Sequence, residues 1–266
     1  MISPGHWADL DPYGARLSAA AGMAALAYKS PAEIYDALAE WHLDAFDHRG
    51  AQGFVASDDR RVVVSLRGTK GCRDVATDAA FLVPVRAYAL GWFPLGARLY
   101  AKRVASQVIP LLDGHRGKEI ILVGHSLGAA GAMLAATDLI YLEHRVTSVY
   151  GFEPPRCAMK GSAVAYRRVV GRLATVHRVL AMKGGYGSPI VALPPYGARF
   201  RHLGDPVVVE YSGGGPARVV TGEAAQTAWR RHKAENPLPG WRVLSRLWRR
   251  QKAHGMAGIA AALQSR

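Results

Sequence analysis

Between Pro154 and Gly204 the chain contains no aspartate or glutamate, while nine lysines and arginines fall in the same window. Cysteine is scarce too. Cys72 and Cys157 are the only two in 266 residues, too few for a disulfide framework, and both are expected to be reduced thiols without a role. No internal repeat or low-complexity tract is present, and no stretch approaches the roughly eighteen continuous apolar residues of a membrane span. The opening MISPGHWADLDPYGARLSAA has neither a basic start nor a long apolar run. No export signal or transmembrane segment is therefore expected, and a cytoplasmic location is, with peripheral membrane association left open. P-loop, dinucleotide and metal-ligand spacings are also missing, so no cofactor or metal is expected.

Half of the residues are hydrophobic, enough to bury a full core, and one domain spanning 1–266 is expected. Thirty-four Lys and Arg against 20 Asp and Glu give a formal net charge of +14. Such an excess draws a protein toward phospholipid headgroups, nucleic acid or acidic polymers. No nucleic-acid-binding motif accompanies the charge, so nucleic acid is not an expected partner. An Arg-rich but otherwise ordinary surface accounts for it equally well.

Apolar spacing predicts helices over 16–28 and 31–43, the second opening with Ser30 as N-cap and Pro31 in the first turn. GFVAS and RVVVSL, joined through Asp58-Asp59, predict a hairpin. A helix over 97–112 precedes EIILVG, a short buried strand. After it come AAGAMLAATDLIYL as helix, VTSVYGF as strand, SAVAYRRVVGRLATV as helix and HRVLAM as strand. Strands alternating with helices predict an α/β architecture, a mostly parallel sheet with helices on both faces.

Gly124-His125-Ser126-Leu127-Gly128 falls where the strand EIILVG ends and an Ala-rich helix begins. In that setting G-x-S-x-G describes a sharp turn that pushes a serine Oγ out of the sheet. Glycines two residues before and after let strand and helix pass without Cβ clashes. The Leu127 N–H, at the start of the helix, then points toward negative charge developing beside Ser126.

VVVSLRGT followed by Asp74 and Asp78, then ILVGHSLGAA, YGFEPPR, LPPYGARFRHLG and AHGMAGIAAAL occur in the order seen in the class 3 (fungal-type) lipases of the α/β-hydrolase fold. The chain resembles that family over roughly residues 50–263. The resemblance implies hydrolysis of carboxylic esters of lipids, acylglycerols or phospholipids. It also makes Arg67-Gly68-Thr69 the segment that supplies the second oxyanion donor, so that Thr69 and Leu127 would hold the tetrahedral intermediate. Losing one such donor costs ~10²–10³ in rate. Where the family carries a short lid, this chain has Phe81, Leu82, Trp92 and Phe93, candidates for an acyl groove or for plain core.

Ten histidines compete for the role of base. His125 is held inside the turn, His202 matches a position that is structural in the family, and His232 sits in the charged run WRRHKAE. His254, in KAHGMAGIAAAL, precedes the last helix, where the family places its catalytic histidine, and is preferred. The family acid opens a D-x-V-P-x-L-P segment, but this chain reads SPIVALPP, so Ser188 stands in the acid's place. Three assignments remain. Glu153 in YGFEPPR follows the strand after the nucleophile helix and keeps the order Ser, acid, His, though a structural pairing with Arg156 or Arg67 would also explain it. Asp205 follows the Pro-rich turn by about eleven residues. In the third, Ser188 leaves a Ser126–His254 dyad. A weakly active or inactive lipase-fold protein that binds lipid or anionic surfaces is the alternative function.

Residues 241–252, WRVLSRLWRRQK, place Trp241, Leu244, Leu247 and Trp248 on one helical face with arginines elsewhere. That pattern fits an anionic membrane interface, or a helix packed on the domain with the same stripe inward.

Overall fold

In the computed structural model, residues 2–7, 11, 13–48, 50–68, 83–87, 89–183, 186–187, 200–211, 217–235 and 256–264 are described. The alternating apolar stretches among them become strands of one large sheet. These are β1 (His42–His48), β2 (Ala51–Ser57), β3 (Arg61–Leu66), β6 (Glu119–His125), β7 (Val146–Phe152), β9 (Thr175–Lys183), β12 (Asp205–Tyr211) and β13 (Arg218–Thr221), in the spatial order β1-β2-β3-β6-β7-β9-β12-β13. The five central strands from β3 to β12 run parallel, and the flanking pairs β1–β2, β2–β3 and β12–β13 are antiparallel. A short β10 (Tyr186–Gly187) folds back on β9. Two small ladders lie outside the sheet, β4 (Pro84–Ala87) with β5 (Gly91–Pro94) and β8 (Ala158–Met159) with β11 (Phe200–Arg201).

Successive side chains on a strand point to opposite faces, and here both faces are apolar. Val62, Val64, Leu66, Ile120 and Leu122 pack toward α3 (Leu95–Leu112), α4 (Leu127–Tyr141) and α5 (Lys160–Leu173). Val63, Ile121 and Val123 pack the other way, toward α1 (Ala15–Leu26) and α7 (Met256–Gln264). The helix α6 (Gly222–Glu235) covers the far edge, with Ala225 and Trp229 against Leu180 and Val208. Layering on both faces buries α4 almost all round, and its Ala-rich composition fits a helix without a solvent face.

The helix expected over 31–43 is only partly present. Ser30 and Glu33 form a reciprocal capping box that starts α2 (Pro31–Ala37), but the helix stops there and His42–His48 is β1. β1 pairs with β2 along its whole length, so the expected hairpin is a three-stranded meander. Pairing with a partner strand outweighs weak helical spacing in this polar segment.

His177, in the middle of the sheet, is fully buried, stacked on Tyr150 at 4.7 Å and met edge-on by Tyr13 at 5.3 Å. Neither ring nitrogen has a hydrogen-bond partner among the described residues. Burial holds its pKa down at about 4, opposed by the nearby Asp205 carboxylate, against 6.5 in the unfolded chain. The folded state therefore takes up this proton later than the unfolded one. The stability linked to it is complete above pH 6.5 and is lost as pH falls through the interval to about 4, a loss of about 3 kcal/mol at ~1.4 kcal/mol per pH unit. Urea melts across that interval should show the loss in wild type. His177→Phe, which keeps a stacked ring and removes the proton, should show a shallower decline.

Candidate active site

Ser126 directly follows β6 with φ 56° and ψ −121°, a strained conformation for a residue with a Cβ, and its amide donates to the Phe152 carbonyl at 2.9 Å. Its own carbonyl receives the Ala129 and Ala130 N–H groups at 3.0 and 3.3 Å, so the chain passes from strand to helix within one residue. A Cβ on Gly124 would run into the Gly128 carbonyl, and one on Gly128 into that of Leu66. The two flanking glycines are therefore demanded by backbone contact. Leu127 opens α4, and an amide at a helix start has no intrahelical acceptor, which leaves it available to an oxyanion beside Ser126.

The segment expected to complete the oxyanion hole reaches the same place. A Cβ on Gly68 would lie 2.7 Å from the His125 carbonyl and 3.1 Å from Ser126 Cβ, so β3 ends against the serine. Its backbone is anchored on both sides: Arg67 N–H donates to the Gln52 carbonyl at 2.9 Å, and Tyr100 Oη donates to the Arg67 carbonyl at 2.6 Å. Burial raises the Tyr100 pKa, with Tyr28 adding and Arg67 opposing, so this phenol remains a donor. Gly68 N–H is committed to Tyr28 Oη at 3.0 Å, and Thr69, expected from the sequence to be the second oxyanion donor, lies outside the described residues.

Tyr28, just past the end of α1, has no motif to announce it. Its Oη lies 2.7 Å from His125 Nδ1 and accepts the Gly68 amide, and its ring carries the Arg67 guanidinium at 5.4 Å from the centroid. The consistent assignment has Gly68 N–H donating to Oη and the phenol proton donated to Nδ1. One side chain thereby joins the strand end to the serine turn. Tyr28→Phe is expected to lower kcat about thirtyfold at nearly constant KM, the effect of two bonds worth ~1 kcal/mol each. Steady-state kinetics on a soluble ester would check it.

Glu153 follows the last residue of β7, next to the Phe152 carbonyl that receives the Ser126 amide. It is buried, it holds φ 52°, and its Oε1 accepts the Ala181 N–H at 2.6 Å. The β7–β9 ladder stops at Phe152 and Val179 because Pro154 and Pro155 follow, and the carboxylate replaces the missing carbonyl acceptor. Ala181 is thus one structural partner of the carboxylate. The Glu153 charge also reaches Tyr211, whose pKa is raised first by burial and then by this carboxylate.

Asp205 is not at the site. It begins β12, whereas Ser126 follows the end of β6. The register Phe152↔Val179↔Val207 puts Asp205 three strands away and about 10 Å lower along the sheet. Its carboxylate pairs with Arg167 at 3.0 Å on the exterior. His202 belongs to the same lower end, lining a cleft with Asp205. Phe93 is core, while Trp92 is about half exposed. Thr69, Phe81, Leu82, Ser188, His254 and the segment 241–252 lie outside the described residues, and the side chain of His232 is likewise not described. The first described residue after His254 is Met256, buried against α1 at the start of α7. Two residues on, a Cβ on Gly258 would lie 3.7 Å from Tyr211 Oη.

A parallel sheet with helices on both faces and a strained serine between strand and helix define an α/β-hydrolase-fold chain. Residues 63–182, which include that turn, match the family model Lipase (class 3). Among curated proteins, secreted mono- and diacylglycerol lipase A of Penicillium cyclopium and of Penicillium camembertii are each 26% identical over 162 residues, 58% of this chain. The match spans only 45% of the length of those relatives. Among solved structures, the chain is similar to the lipase of Rhizopus microsporus var. chinensis, with TM-score 0.62 and 22% identity over 80% of this chain and 81% of that one. The Rhizomucor miehei lipase propeptide complex gives TM-score 0.65 and 19% identity over 79% and 72% of the two chains.

Proposed function

We infer that the protein is a serine hydrolase of carboxylic esters in lipids, acylglycerols or phospholipids. The observation that carries the reading is Ser126 at φ 56° with Gly68 and the opening of α4 against it. Ser126 attacks the ester carbonyl, and His254 takes the hydroxyl proton and later gives it to the departing alcohol. The Leu127 amide and Thr69 stabilise the oxyanion. Glu153 is the acid that orients and balances His254. Its support is a buried, strained carboxylate one strand from Ser126, within electrostatic reach of Tyr211, which in turn adjoins the helix entered through His254.

A second reading draws on Ser188 in the family's acid position and on the bond that already occupies Glu153 Oε1. In it the chain is a lipase-fold protein of weak or no activity that binds lipid. Labelling by a fluorophosphonate, beside turnover of short- and long-chain esters, tests the two. Rapid stoichiometric labelling with ester turnover is expected, and absence of both would favour the second reading. Ser188→Asp should leave turnover unchanged if Glu153 is the acid. A rise in turnover would assign the vacancy to position 188.

A further inference from the structure

Four cations of the acid-free window line one cleft beside the starts of β9 and β12. The exposed face of α5, the starts of β9 and β12, and β11 enclose a cleft of about 490 Å³. Lys160, Arg167, Arg168 and Arg201 line it, and Asp205 is the one acid among its described lining residues, already paired with Arg167 at 3.0 Å. A further cation stands behind this wall. Arg178 on β9 is partly buried, and its Nε has no hydrogen-bond partner among the described residues. Its pKa is held down at about 10, first by burial and then by Arg156, with Asp205 opposing and Arg167 adding to the depression. Arg156, itself buried, is lowered by burial and then by Arg201. These guanidinium groups repel one another across a small volume. A charge of opposite sign in the cleft would offset the cations that line it.

We propose that this cleft binds a phosphate group. A carboxylate brings one charge and two oxygens, which a single arginine fork satisfies. A phosphate brings up to two charges and enough acceptor oxygens to engage several arginines and a lysine together. Val164 and Leu203 supply an apolar side to the same cleft, so the phosphate is either free or the headgroup of a lipid. The site is distinct from Ser126 and does not depend on the hydrolase reading.

The test uses the full chain and inorganic phosphate, titrated against chloride at matched ionic strength and followed by thermal unfolding and isothermal calorimetry. Saturable stabilisation is expected in wild type. Arg168→Gln combined with Arg201→Gln, both exposed, should weaken binding about tenfold or more, since each removes a charged hydrogen bond. The pair Lys102→Gln and Arg103→Gln, exposed on α3, should leave it unchanged. In parallel, flotation with phosphatidylcholine vesicles with and without phosphatidic acid separates the two sources. Retention only with phosphatidic acid, lost in the cleft variant, assigns a lipid headgroup, whereas saturable calorimetry without vesicle retention assigns free phosphate. No saturable response in either arm would overturn the proposal, as would equal losses in the cleft and α3 variants.

Discussion

Ser126→Ala is expected to eliminate fluorophosphonate labelling and to lower ester turnover by about 10⁶, the scale seen when a triad nucleophile is removed. The structure predicts that this loss comes without loss of fold. The φ of 56° is a property of the turn, held by the Phe152 carbonyl on the Ser126 amide and by α4 on its carbonyl, and none of these bonds uses Oγ. An alanine in that conformation carries the same Cβ strain as the serine, so thermal stability should hardly change. Residual turnover near background with an unchanged melting curve would confirm the serine as nucleophile. Turnover that survives the substitution would exclude it.

Glu153→Gln should reduce kcat by ~10⁴ with KM little changed, as disabling the acid of a triad does. Gln keeps an oxygen that can accept the Ala181 N–H, so this variant isolates the charge from the structural bond. Glu153→Ala removes both. It should add a stability loss of about 1–3 kcal/mol, because a buried amide loses its acceptor. Calorimetric melting beside single-turnover kinetics would separate the two effects. Undiminished kcat in Glu153→Gln would remove this residue from the reaction and leave the Ser126–His254 dyad.

The parallel core and the serine turn were legible because their causes are local. β-branched runs such as Val62–Val64 and Ile120–Val123 make strands wherever they are covered on both faces, and the glycines beside Ser126 answer to backbone a few residues away. Other features depend on residues far apart in the chain. β1 exists because β2 offers it an edge, and a polar segment with some helical spacing contains no sign of that edge. Asp205 lies near SPIVALPP in sequence but starts its strand where Ser126 follows the end of another, which only the register reveals. Tyr28 acts on partners 40 and 97 residues away, and no pattern around it separates it from other aromatics that follow helices. Glu153 was suggested by chain order and position after a strand. Its backbone strain and its bond to Ala181 could not be seen there.

The phenol of Tyr28 also bears on when the protein becomes competent during folding. Its contact with His125 closes a loop of 97 residues, and contacts of such separation form late because chain entropy must be given up first. During synthesis the tyrosine leaves the ribosome long before either group it holds. The strand, turn and helix around Ser126 can form as a local unit without it, but the end of β3 is not yet fastened beside them. Acquisition of reactivity toward a fluorophosphonate would then lag behind acquisition of secondary structure, and the lag would record the docking of the N-terminal helix.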